Sequence, residues 1–379
     1  MQDSNPGQKK PGELPKERRP LVWEHARELG RQPWAEVVLA LVLGALGGYV
    51  FSRLRVPLAW ILGPLIACFA GTLMGLRLRP IPYGRHVAHV VVGLAIGLRL
   101  TPAVLAATAG LIPVMGVATL YTIAVTTGAA FLLRSLAQVD RRTAFFGSAA
   151  AGMAEMAILA TERGGDAQAV SIVHAIRVTC VVIVIPLMVF AFGADEGIHD
   201  PPVTRATGFA DLAILIGLGM LASWLATPFR IPSPWFLVPM MVGAVATAVW
   251  TVIEIPWLLL VVAQIVLGVA LGCRFERTIL RRLPRMVAGA FVIAAVLIFA
   301  SVIGAAALAA TTDLSFATSF LAVAPAGITE MVLTARIMHL DTATVTAFQV
   351  MRILLINTSI LIVYRLFERL SIRLDGKAT

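Results

Sequence analysis

Charge is scarce in this sequence: 14% of its 379 residues are Asp, Glu, Lys or Arg. Soluble globular domains carry about a quarter charged residues, so a water-soluble fold is excluded. Cysteine is nearly missing. Cys68, Cys180 and Cys273 are odd in number, far apart and set in apolar runs, which excludes a disulfide framework and a cysteine metal cluster. Of His25, His86, His89, His174, His199 and His339, only His86 and His89 are close together. That H-x-x-H pair is a real but weak two-ligand signal and leaves a membrane monooxygenase as the least favoured alternative; no metal or other cofactor is expected, and no enzyme activity. Ten-residue stretches of alternating hydrophobicity are lacking, which excludes a spanning β-barrel. The net charge of +10 sits in short loops and at the two ends, so it predicts topology signals and no direct contact with nucleic acid.

What the sequence does have is apolar length. It is 59% hydrophobic with a mean hydropathy of +0.87. Apolar runs of about 17 to 25 residues recur, each able to cross a hydrocarbon core about 30 Å thick. These features predict an all-α polytopic membrane protein in a lipid bilayer. Residues 1–33 read as a basic tail, with Lys9, Lys10, Lys16, Arg18 and Arg19 among four prolines and a short interfacial helix at 21–31. The first apolar run begins only near Ala35, so no signal peptide is expected and the tail stays in the cytoplasm. A first membrane repeat covers 34–193, with helices near 34–52, 57–76, 81–99, 108–133 and 168–192 and a Gly/Ala-rich segment at 143–161. An acidic hinge, 194–207, leads to a second membrane repeat at 208–366. Its helices are expected near 208–227, 232–251, 256–273, 287–310, 316–335 and 342–365, followed by a cytoplasmic tail at 367–379.

The two repeats are related at one spacing. Gly152-Met153-Ala154-Glu155-Met156 returns 175 positions later as Gly327-Ile328-Thr329-Glu330-Met331. Pro57, Trp60 and Pro64 fall on Pro232, Trp235 and Pro239; Gly93, Gly97 and Arg99 fall on Gly268, Gly272 and Arg274; Asp166 and Arg177 fall on Asp341 and Arg352. Coincidence of Trp, Pro, Arg and Glu at one spacing marks an internal duplication.

Loop charges then set orientation. If each Glu-bearing segment re-enters, each half has about five crossing helices and the second half is inverted. Arg77, Arg79, Arg85, Arg134, Arg141, Arg142, the 274–285 arginines and both termini then lie in the cytoplasm, while Glu254 and Asp313 face outward. Arg53, Arg55, Arg99 and Arg336 do not fit this pattern. Six crossings per half would make the repeats parallel and place 274–285 outside.

Inverted repeats with broken segments are the architecture of many secondary transporters. Gly147, Ala149, Ala150, Ala151 and Gly152, and Pro325 with Gly327, weaken a continuous helix at the required places. Glu155 and Glu330 are the leading candidates for substrate or ion binding, because a carboxylate in an apolar segment costs roughly 2.5 to 3.5 kcal/mol; the bland alternative is a fixed ion pair. Arg177 and Arg352 are the natural counter-charges or anion clamps. His174, matched by Gln349, binds a proton in one half only or is a satisfied interior histidine. Asp166 and Asp341 are expected to cap helices. The Pro/Trp sets are expected to shape helix ends and interface anchoring, or to gate.

The repeated P-x-x-W-x-x-x-P start, the glycine-spaced third segment and the G-x-x-E-M motif followed by an Arg-bearing helix resemble the membrane AbrB duplication family over about residues 35–365. That resemblance implies a bacterial inner (plasma) membrane protein for which regulator and ammonia monooxygenase labels are both in use. It does not extend to the small DNA-binding regulator of the same name. The preferred expectation is a secondary carrier of a small solute coupled to protons or ions; the alternative is a membrane regulator or sensor acting indirectly on gene expression. A homo-oligomer is compatible with either.

Overall fold

The computed structural model describes residues 34–192, 208–229, 231–249, 254–275 and 284–375. Of the chain's two compact units, Glu36–Thr379 holds the core. Met1–Ala35 falls almost wholly outside the described residues, as does the hinge at 194–207. Every regular element among the described residues is helical.

The first half contains α1 (Trp34–Arg53), α2 (Ala59–Leu73), α3 (Gly84–Gly97), α4 (Pro102–Ala109), α5 (Ile112–Ala137), α6 (Arg141–Ser148), α7 (Met153–Glu162) and α8 (Ala167–Ala191). The second contains α9 (Phe209–Ala226), α10 (Pro234–Val249), α11 (Trp257–Gly272), α12 (Pro284–Thr311), α13 (Phe316–Val323), α14 (Ile328–Ile337) and α15 (Thr342–Asp375). Helices α9, α10, α13, α14 and α15 each start 175 positions after α1, α2, α6, α7 and α8.

Two expectations change. The helix expected at 108–133 begins at Ile112 as α5, and a separate helix α4 precedes it, because Gly110 lies between them and a proline at the start of α5 leaves no backbone donor to continue the earlier turn. The residues 367–375 continue α15 instead of forming a tail, while the segment expected to be broken at Pro325 and Gly327 is two helices, α13 and α14. Among the described residues, six helices are long and apolar enough to span a membrane: α1, α5, α8, α9 with the turn after it, α12 and α15. The helices α2, α3, α10 and α11 have 15, 14, 16 and 16 residues. At 1.5 Å per residue they reach only about 21 to 24 Å.

These short helices pack between the halves. Helix α3 lies along α10, and α2 lies along α11. A Cβ on Gly93 would come 2.6 Å from the carbonyl oxygen of Phe236, and one on Gly268 would come 2.5 Å from that of Ile61. Gly97 presses on Met240 and Gly272 on Leu65 in the same way. Two G-x-x-x-G faces therefore grip each other's partner helices, allowing the backbone approach that dispersion needs where lipid supplies no hydrophobic drive. Pro64 and Pro239 sit inside α2 and α10, not at their ends as expected, and pack near Gly44 and Gly219.

The corresponding long helices α5 and α12 pack against each other in opposite directions. Arg285, at the start of α12, donates to Gln138 just beyond α5 at 2.6 Å. Farther along, the Tyr121 hydroxyl donates to the Ala300 carbonyl at 2.7 Å. Arg99, one of the arginines out of place in the charge pattern, is paired with Glu254 at 3.1 Å.

Candidate functional site

Each half carries a helix broken in its middle. In the first, α6 ends at Ala149 with ψ 136° and α7 begins from Gly152 with ψ 131°. In the second, α13 ends at Ala324 with ψ 127° and α14 begins from Gly327 with ψ 137°. The backbone is extended at both edges of each break, so carbonyls and N–H groups lose their helical partners. The Glu-bearing segment of the first half turns back: the Asp166 N–H, just past α7, is bonded to Thr143 Oγ1 at the start of α6 at 2.8 Å. The segment is a helical hairpin whose two ends lie together. Asp166 and Asp341 cap the following helices as expected, accepting from Gln168 N and Ala169 N in one half and Thr344 N in the other.

The cut C-terminal ends are held by the buried arginines. Arg177 Nη1 donates to the carbonyls of Ser148 and Ala149 at 2.8 and 2.7 Å. Arg352 donates to the carbonyls of Ala324 and, at 2.7 Å, Ala326. A cation at exposed carbonyls opposes the negative end of the helix dipole. Their neighbours do the same work: His174 Nε2 is 2.9 Å from the Phe146 carbonyl, and Gln349 Nε2 donates to Leu321 and Ala324 at 2.7 and 3.2 Å. The expected Glu–Arg ion pair is thereby corrected. Helix breaking frees carbonyls that lie closer to the guanidinium groups than either carboxylate does.

Glu155 and Glu330 serve the opposite ends. Each is the third residue of its half-helix, after Gly152 and Gly327 at the N-cap. A Cβ on Gly152 would lie 2.8 Å from Glu155 Oε2, and one on Gly327 would collide with Glu330 Oε2. The carboxylate folds back over the N-cap glycine, where the helix dipole favours negative charge. This explains the G-x-x-E spacing: a side chain at the cap would occupy the place of the carboxylate. Glu155 also meets Asn357 of α15, and its Oε2 has no hydrogen-bond partner among the described residues.

Both breaks open onto one cavity of about 310 Å³. Glu155, Glu330, Arg177, Arg352 and His174 line it, as do Gly152, Gly327 and Pro325. Gln349 does not; it is fully buried behind the break. Sequence reasoning missed Arg85 and Arg274, which it counted as cytoplasmic topology signals, yet both line the cavity. The signal available was that each stands at the end of a glycine-bearing helix that the repeat singles out. Pro232 and Trp235, half of a repeated set, also reach the wall, with Trp235 edge-on to His86 at 4.9 Å.

A family model described as "Transition state regulatory protein AbrB" matches residues 60–368. The chain belongs to this family. Two relatives span nearly the same length. The chain is 27% identical over 359 residues to "Uncharacterized protein YhjN" of Bacillus subtilis (strain 168), covering 87% of this chain and 92% of the relative. It is 26% identical over 333 residues to "Putative regulator AbrB" of Escherichia coli (strain K12), covering 84% and 92%. The match runs from Trp60 through the second Arg-bearing helix.

Proposed function

We propose that this AbrB-family protein is a secondary carrier that moves a small solute across the inner membrane, coupled to protons or ions, without a covalent reaction. The observation that carries the reading is the meeting of two broken, charge-capped segments at one cavity. Irregular backbone at membrane depth is tolerable where protein or water covers it, and half-helix ends supply fixed partial charges for a solute. Inverted topology is part of the proposal. The opposed directions of α5 and α12, which correspond in the repeat, support it. So does parity, because α2 and α3 count as two crossings or none, and either leaves an odd number per half. Cytoplasmic termini follow from the loop arginines.

The test is flux through purified protein in proteoliposomes. Uptake of a solute is expected, with loss in Glu155→Gln and in Glu330→Gln proteins that still elute and melt as folded. The name of the Escherichia coli relative favours a second reading, a membrane regulator. Transcript changes on deletion that persist in flux-dead Glu155→Gln cells support that reading.

A further inference from the structure

Arg99 and Arg274 hold equivalent places in the two halves, but their surroundings differ. Arg99 Nη2 donates to Glu254 Oε1 at 3.1 Å. The position 175 before Glu254 is Arg79, a base in place of an acid. Arg79 is itself engaged by Glu36 at 2.9 Å. The partner that symmetry would give Arg274 is therefore missing. Arg274 stands at the cavity wall near Arg85 and within electrostatic range of Glu330, and it makes no salt bridge among the described residues.

The remaining cavity charges serve the two breaks, although Glu155 Oε2 and the Nε atoms of Arg177 and Arg352 keep no hydrogen-bond partner among the described residues. Arg177 and Arg352 hold the cut carbonyl ends, and Glu155 and Glu330 fold over the cut N-terminal ends. Arg85 and Arg274 are left as positive charge on the cavity wall, with Arg85 exposed. Leu267 and Leu271, on α11 just before Arg274, give that wall an apolar part together with Trp235 and Ile353. The volume of about 310 Å³ corresponds to on the order of ten waters, which admits a compact molecule.

We propose that the cavity takes a small organic carboxylate, held at its charged end by Arg85 and Arg274 and along its apolar body by Trp235, Leu267 and Leu271. Guanidinium forks match carboxylate oxygens, and an apolar wall beside them favours an organic anion over an inorganic one. This rests on the carrier reading and supplies its solute class.

Equilibrium binding to the full-length protein in detergent tests it, with benzoate, succinate, benzamide, choline and inorganic phosphate as probes. At least one of the two acids is expected to bind and raise the melting temperature, while benzamide, choline and phosphate at equal concentration do not. Arg274→Gln and Arg85→Gln are each expected to weaken acid binding tenfold or more, with Arg274→Lys weakened less. Arg85 is exposed, so its variant keeps the test open if Arg274→Gln fails to fold. Neither acid binding, benzamide or phosphate binding as well as the acids, or unchanged affinity in the arginine variants overturns the proposal. Counterflow of the labelled probes in proteoliposomes separates the two readings. Acids that bind through Arg85 and Arg274 but never cross the bilayer uphold the site and sink the carrier. Glutamate-dependent flux of choline or benzamide without acid binding upholds the carrier and sinks the carboxylate.

Discussion

His174 and Arg177, one helical turn apart on α8, fix each other's protonation and place. Arg177 Nη2 lies 3.1 Å from His174 Nδ1, and His174 Nε2 lies 2.9 Å from the Phe146 carbonyl. A guanidinium only donates and a carbonyl only accepts, so Nδ1 must accept and Nε2 must carry the proton. The ring is neutral in this arrangement, and a second proton would have to displace Arg177. Of the two readings of His174, the satisfied interior histidine is the one this geometry supports: its two nitrogens are both engaged in holding the broken segment.

His174→Gln is therefore expected to be mild, because Gln349 already does this work in the other half. Melting temperature in detergent should fall by no more than a few degrees, with flux and its pH profile preserved. Loss of a pH inflection in the variant would restore the proton-binding role.

Arg177→Met and Arg352→Met are expected to be severe. Each removes a buried cation and leaves the cut carbonyls without their donor, a change of about 1 to 3 kcal/mol for each acceptor left unpaired. Since the arginines serve carbonyls and not the glutamates, the double variant Arg177→Met with Glu155→Gln should be additive within about 0.5 kcal/mol. Denaturation midpoints for the four proteins of the cycle measure this, and coupling well above that value would reinstate the ion pair.

Gly97→Ala and Gly272→Ala are expected to lower stability by about 1 to 3 kcal/mol each, through overpacking against the carbonyls of Met240 and Leu65. Gly128, whose Cβ would meet open space within α5, is the control; Ala there should be neutral or slightly stabilising. Equal effects at all three sites would mean that the interlocked faces contribute little.

Much of this was legible in the sequence because rare residues recur at one spacing. Pro, Trp and Gly recur where helices start or approach closely, and the G-x-x-E motif fell at both breaks. What was hidden were long-range choices. Arg177 and Glu155 are opposite charges in apolar surroundings, and pairing them is the default; only the extended backbone at Ala149 shows a carbonyl competing for the same guanidinium. Arg274 looked like a loop arginine because its fate depends on Arg79, almost two hundred residues earlier, being a base. Helix ends in α4 and α15 depended on one proline and on packing against α5, neither of which hydropathy reports.

The opposed directions of α5 and α12 give the most direct check on the duplication. A Cβ on Gly289 would lie 3.3 Å from that of Ala137, close to the separation a disulfide spans. In a background with Cys68, Cys180 and Cys273 replaced by Ala, Ala137→Cys with Gly289→Cys is expected to cross-link on mild oxidation. Cleavage between the halves, at a protease site inserted in 194–207, would then leave one band without reductant and two with it. Parallel helices would instead bring residue 137 toward its equivalent, residue 312. Ala137→Cys with Thr312→Cys is thus the control, expected to stay in two bands. Cross-linking of the 312 pair and not the 289 pair would make the equivalent helices parallel, and the cavity could no longer be the meeting point of two inverted halves.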